Sequence, residues 1–167
     1  MSKLIIIRGN YGSGKTTVAK MLQHKLGHNI MLISQDVIRR EILRVKDGID
    51  TPALPLMKEL LIYGKNNCEI IILEGILNSV WYKPLFELAK REFKNNIFPY
   101  YYDLSFEETV LRHQTKINKD DFGEKEMMSW WREKDFISII TEKIITAEMS
   151  LEDTVDMIYN DLIYNIN

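Results

Sequence analysis

Cysteine is almost absent. The 167-residue chain holds one, Cys68, which excludes a disulfide framework and makes a reducing compartment the expectation. Long apolar runs are missing as well. The N-terminal run Leu4 to Ile7 stops at Arg8, too short for a signal-peptide core. No other run approaches the roughly 20 residues of a membrane span. Neither charge sign is in excess: 22 Lys and Arg face 24 Asp and Glu, for a net charge of −2. A global bias toward nucleic acid is thereby excluded, and only a local basic groove stays open. Internal repeats, linkers and low-complexity tracts are also missing. What is present is a 46% hydrophobic composition, enough for a sizeable core. The expectation is one cytoplasmic domain over residues 1–167.

Apolar runs of strand length alternate with stretches of helical period. "KLIIIR", "NIMLIS", "EIIILE" and "NIFPYYYDL" read as strands, and "EKIITAEM" as a fifth. Helices are predicted from Gly14 to Leu26, over "QDVIRREILR", through "LMKELLIYGKN", from Ser79 to Phe93, and from Ser105 to about Lys116. Ser105 with Glu108, and Ser150 with Asp153, have capping-box spacing; the second pair opens the last helix. "INKDDFGEKE" is polar and reads as a mobile loop. The alternation predicts an α/β fold, a doubly wound five-stranded parallel sheet with flanking helices.

"GNYGSGKT", Gly9 to Thr16, matches G-x-x-x-x-G-K-[ST] between a strand and a helix. Gly9, Asn10, Tyr11, Gly12, Ser13, Gly14, Lys15, Thr16 and Thr17 are therefore candidate nucleotide contacts. Backbone N–H groups must converge on an anion, and glycines permit that curl. The helix start adds unpaired donors and its dipole. Lys15 is placed to reach the β- and γ-phosphates and Thr16 to ligate Mg²⁺. The anion is expected to be a nucleoside triphosphate, ATP.

The γ-phosphate could pass to water or to an organic hydroxyl. "NKDD", Asn118 to Asp121, matches the guanine signature N-K-x-D. It overlaps the D-x-x-G of "DDFG" and follows a helix rather than a strand, so it reads as chance and ATP is expected over GTP. "DFG" has no H-R-D loop before it. Asp36, just past the second strand, sits at the carboxyl edge of a parallel sheet beside the cradle. A carboxylate there can orient a hydroxyl and accept its proton, and Arg39 at i+3 can hold a polar or anionic part of the acceptor. Equally, Asp36 could be a dipole-favoured helix start with Arg39 and Arg40 solvated.

The cradle followed by a strand-end D-x-x-R, Asp36 and Arg39, resembles the nucleoside monophosphate kinase-like group of P-loop kinases. Within it the chain is most similar to small phosphotransferases related to polynucleotide 5′-hydroxyl kinases, zeta toxins and chloramphenicol phosphotransferase. The resemblance implies Asp36 as general base, Arg39 as a substrate contact, a substrate-side helical region over about 37–67 and a lid over about 113–132. It also implies that Arg112 and Lys116, after the fourth strand, contact ATP, with Arg112 catalytic beside Lys15. A moving cationic lid would stabilise charge on the γ-oxygens and exclude water. Arg132 is a further candidate.

Glu74 ends a buried strand in the Walker B position, facing either Mg²⁺ or the substrate. His24 and His28, at i,i+4, lack a third ligand and read as a solvated face. Trp130 and Trp131 read as lid packing rather than base stacking. The expected function is an ATP- and Mg²⁺-dependent kinase acting on a small-molecule hydroxyl, with no membrane or nucleic-acid partner. The alternatives are a nucleic-acid 5′-hydroxyl kinase and a nucleotide-binding regulatory ATPase.

Overall fold

The computed structural model describes residues 1–117 and 119–164. Asn118, the first residue of the N-K-x-D match, lies outside the described residues. Five strands form one parallel sheet: β1 (Lys3–Gly9), β2 (Ile30–Ser34), β3 (Ile70–Gly75), β4 (Ile97–Tyr102) and β5 (Lys143–Ile145). Their order is β2-β3-β1-β4-β5, with every neighbouring pair parallel.

Strand alternation divides the core into two layers. On central β1, Leu4 and Ile6 join Ile71 and Leu73 of β3 beneath α3 (Ala53–Asn67) and α4 (Lys83–Phe93). Ile5 and Ile7 face the other way, with Ile72, Tyr100 and Tyr102, against α1 (Lys15–Leu26) and α7 (Leu151–Tyr164). Leu4 to Ile7 are all fully buried. A strand covered on both faces needs such a continuous apolar run rather than polar alternation. Among the described residues no helix is long and apolar enough to cross a membrane.

Several local expectations differ from what folds. The stretch "QDVIRREILR" is only briefly α-helical: α2 (Gln35–Val37) runs into a π-helical segment, Ile38–Ile42. Helix α4 begins at Lys83 rather than Ser79, with Pro84 in its first turn. Before it, the Asn78 side-chain carbonyl accepts from Val80 N and Trp81 N at 3.0 and 3.1 Å, holding a turn. β5 is shorter than predicted. The Ser105 box is half formed: Ser105 caps α5 (Phe106–Gln114) by accepting from Glu108 N, but the Glu108 carboxylate pairs with Arg112 at 2.7 Å instead. The Ser150–Asp153 box forms in both directions. Within the predicted loop, α6 (Glu124–Trp130) already begins, its start fixed by Gly123 N donating to Glu126 at 2.9 Å.

Candidate active site

Parallel pairing aligns the carboxyl ends of three strands. Glu74 lies in register with Ile7 of β1 and Ser34 of β2. Being two residues on from Ile72, it faces the α1 side, where the cradle turns into the helix. There the Thr16 hydroxyl lies 3.2 Å from both Glu74 carboxylate oxygens. The Ser34 hydroxyl donates to the same carboxylate. Glu74 is almost fully buried, so these donors satisfy a group that would otherwise be costly to bury.

The cradle's curl requires Gly12. Its φ is +86°, and a Cβ there would lie 2.7 Å from the Thr109 carbonyl oxygen. Lys15 folds back over the loop, donating to Asn10 O at 2.8 Å and Ser13 Oγ at 3.2 Å. Burial pushes its ammonium down to about 8, with Lys116 and Arg8 adding repulsion and Glu74 and Asp36 opposing. A desolvated, poorly compensated cation is prepared for polyanion binding.

The cradle floors a cleft of about 990 Å³. Tyr11, Gly12, Gly14, Lys15, Thr16 and Thr17 line it, as do Asp36, Glu74, Arg112 and Lys116. Gly9, Asn10 and Ser13 do not. Asn10 points away, exchanging hydrogen bonds of 2.7 and 2.9 Å with the Arg132 backbone. Ser13 offers its carbonyl to Arg112 Nη1 at 2.9 Å. Arg39 also misses the cleft, turning toward Val45 O at 3.5 Å; Arg40 lines it instead. Both arginines nevertheless reach Asp36, from within the π segment. Arg40 Nε lies 2.9 Å from Asp36 Oδ1 and Arg39 Nη2 3.2 Å from the same atom.

The lining also includes Ala147 to Leu151, where Ala147 O accepts from Arg112 Nη2 at 3.4 Å, and Gln35, Ile76 and Arg40, the last paired with Asp36. Rings from His113, Phe122 and Trp130 pack edge-on against Tyr11 of the cradle, with centroids 5.3 to 5.7 Å apart. Trp130 also packs on Phe122, and Trp131 on Phe106. Lys116 Nζ sits 4.7 Å from the Tyr11 ring centroid, and burial holds it below the usual lysine range, against attraction from Asp36 and Glu74. Arg132 stacks on Trp81, outside the cleft.

Sequence reasoning passed over Arg8, which sits behind the cradle and is fully buried. It bridges Glu142 at 2.7 Å and Asp135 at 2.9 Å, and gives two hydrogen bonds to Leu77 O. Leu77 has φ +46°, a costly conformation for a branched residue. It is pinned from the other side by its N–H donating to Gln35 Oε1 at 3.0 Å. Gln35 in turn donates to Asp47 at 3.0 Å, and Asp47 accepts from Tyr82 OH at 2.7 Å. The residue preceding Asp36 is thereby locked to the β3 end and to the loop beyond the π segment.

The geometry can be compared with known proteins. The sequence profile of the zeta toxin family matches residues 2–50. Solved structures similar over nearly the whole chain include a gluconokinase from Sinorhizobium meliloti, at TM-score 0.65 and 15% identity, covering 97% of this chain and 92% of that one. The APS kinase of Mycobacterium tuberculosis, solved with AMPPNP and APS, aligns at TM-score 0.65 and 16% identity over 98% of each chain. The tunicamycin resistance protein of Deinococcus radiodurans gives 0.64 and 16%, over 100% of this chain and 98% of that one. The fold is that of the small P-loop kinases. No curated protein matches the chain by sequence.

Proposed function

We propose that this P-loop kinase fold transfers the γ-phosphate of ATP to a hydroxyl of a small molecule. The observation that carries the reading is a single cleft lined together by Lys15, Thr16, Asp36, Glu74 and Arg112, with the Thr16 hydroxyl on the Glu74 carboxylate. A nucleotide lying along the cradle would place its γ-phosphate between Lys15 and Asp36 and its base toward Ala147 to Leu151. Names among the similar structures, gluconokinase and APS kinase, support a small acceptor.

The Thr16 hydroxyl and the Glu74 carboxylate fit Mg²⁺, which prefers hard oxygen donors supplemented by phosphate and water. Bound there, the ion would neutralise charge on the β- and γ-oxygens. The chain's own groups do the rest. Lys15 leaves the Asn10 carbonyl for the phosphates. Arg112 and Lys116 add positive charge where it develops on the transferring group. Asp36 Oδ2, which accepts no hydrogen bond among the described residues, orients the acceptor hydroxyl and takes its proton. The Tyr11, Phe122 and Trp130 rings exclude water, favouring transfer over hydrolysis.

The test is ADP release from ATP or GTP, with and without a panel of hydroxylated compounds. ATP turnover stimulated by an acceptor supports the reading. Turnover indifferent to every acceptor, or served only by GTP, contradicts it.

A further inference from the structure

The acceptor end of the cleft is built around a carboxylate shared by two guanidinium groups. Arg39 and Arg40 both use Asp36 Oδ1, at 3.2 and 2.9 Å. One negative charge thus faces two positive ones. Lys116, on the other wall, adds a third cation to the same neighbourhood, since Asp36 is the foremost charge acting on it. Arg39 is turned toward the Val45 carbonyl and out of the cleft. Arg40 lines the cleft and is held at two points: its Nε on Asp36, and its guanidinium 4.7 Å from the Phe122 ring centroid in the lid. Among the described residues its two terminal nitrogens donate to nothing. A guanidinium anchored through Nε and a ring face, with its fork free, matches the two-oxygen face of a carboxylate or phosphate.

We infer that the acceptor carries an anionic group, carboxylate or phosphate, bound by the Arg40 fork beside the hydroxyl that Asp36 orients. This rests on the phosphoryl-transfer reading above and goes further, to the acceptor's chemical class. The two functions divide the Asp36–Arg40 pair between them. Asp36 keeps Oδ2 for the hydroxyl, and Arg40 keeps its terminal nitrogens for the anion. A neutral alcohol of the same shape leaves the fork unpaired and brings no charge to offset the surplus cations. Discrimination against it should therefore be steep, as for any site whose polar groups are left without partners. Because the Phe122 ring covers the same guanidinium, an acceptor seated on Arg40 also lies directly under the lid.

The experiment uses the full chain with ATP and Mg²⁺ and matched acceptor pairs: glycerate and glycerol, gluconate and sorbitol, ribose 5-phosphate and ribose, a nucleoside 3′-phosphate and its nucleoside. The carboxylate and phosphate arms tell the two anions apart. ADP release is read in each case, and ATP binding is measured separately by calorimetry. The expected result is stimulation by an anionic member at least about 10-fold above its neutral counterpart. Arg40→Ala then raises the KM for that member about 10- to 100-fold, the loss of a charge-assisted pair. ATP affinity is unchanged, Arg40→Lys falls between, and Arg39→Ala has a smaller effect on KM than Arg40→Ala. Circular dichroism checks the fold of each variant. Equal stimulation by a neutral member, or an unchanged KM in Arg40→Ala, overturns the inference while leaving phosphoryl transfer standing. ATP binding without stimulation by any anionic member also overturns it. Failure to bind or turn over ATP at all overturns both readings together.

Discussion

Replacing Arg8 by Met removes a fully buried guanidinium and keeps much of its length. The change leaves Glu142, whose side chain is 1% exposed, without its cation 2.7 Å away. Asp135 loses its partner at 2.9 Å, and the Leu77 carbonyl loses two donors. Stacking of the guanidinium on Phe86 and Tyr101 goes as well. Breaking a buried pair by removing one member costs about 3–5 kcal/mol, a large share of the roughly 5–15 kcal/mol that holds a domain folded. For a chain of this length the melting temperature should fall by about 6–20 °C. The loss has a pH signature. Burial already raises the Glu142 carboxyl above the ordinary glutamate range, and Arg8 opposes that. Without Arg8 the folded state holds the proton to still higher pH than the unfolded chain does. Its stability is then retained at low pH and lost as pH rises through the folded value. The deficit against the unaltered protein should therefore be smaller near pH 5 than near pH 8. Adding Glu142→Gln to Arg8→Met should recover part of the loss at the higher pH. Urea unfolding at the two pH values measures this. A deficit below about 1 kcal/mol, in the range of exposed pairs, or one independent of pH, refutes the reasoning.

Asp36→Asn should lower kcat about 10²–10⁴-fold, the usual cost of losing a general base, while calorimetry shows ATP affinity unchanged; loss of ATP binding would place Asp36 in the metal site instead. Gly75→Ala would put a Cβ 2.4 Å from Gln35 Oε1 and 2.6 Å from Gln35 Cβ, so Gln35 must leave Leu77 and Asp47. A stability loss of about 1–3 kcal/mol from overpacking should accompany a fall in kcat, and an unaltered kcat would show that Gln35 does not position Asp36. ATP binding at about pH 9 should take up close to one proton, because phosphate lifts Lys15 from about 8 back toward the usual lysine range. Calorimetry in buffers of different ionisation enthalpy reads this uptake, which should fade toward neutral pH; no buffer dependence would contradict it.

The parallel sheet was legible because its signals are local. Leu4 to Ile7 and Ile70 to Leu73 are continuous apolar runs, and the glycine-rich turn follows the first of them. The strand-end place of Glu74 was legible too, since parallel topology fixes the direction of β3, whereas its contact with Thr16 was not, the sequence leaving it to face either Mg²⁺ or the substrate. The exchange of Arg39 for Arg40 was not legible either. Both arginines lie in a π segment whose i→i+5 bond, Leu43 N to Ile38 O at 2.9 Å, no apolar periodicity records. The Arg8 network was equally hidden: its partners lie at positions 135 and 142, and a strand-end arginine looks like any solvated one. Ala147 to Leu151 read as strand and helix start because its role at the cleft lies in its place in space, not in its composition.

The most direct measurement of the central claim follows the γ-phosphate itself. ATP labelled at the γ position is incubated with the protein and a pool of small hydroxylated acids and sugar phosphates, and the label is traced by chromatography. The account predicts label in an organic phosphate ester, formed by the unaltered protein and not by a folded Lys15→Ala variant. Label found only in orthophosphate, or transferred equally well by Lys15→Ala, would contradict it.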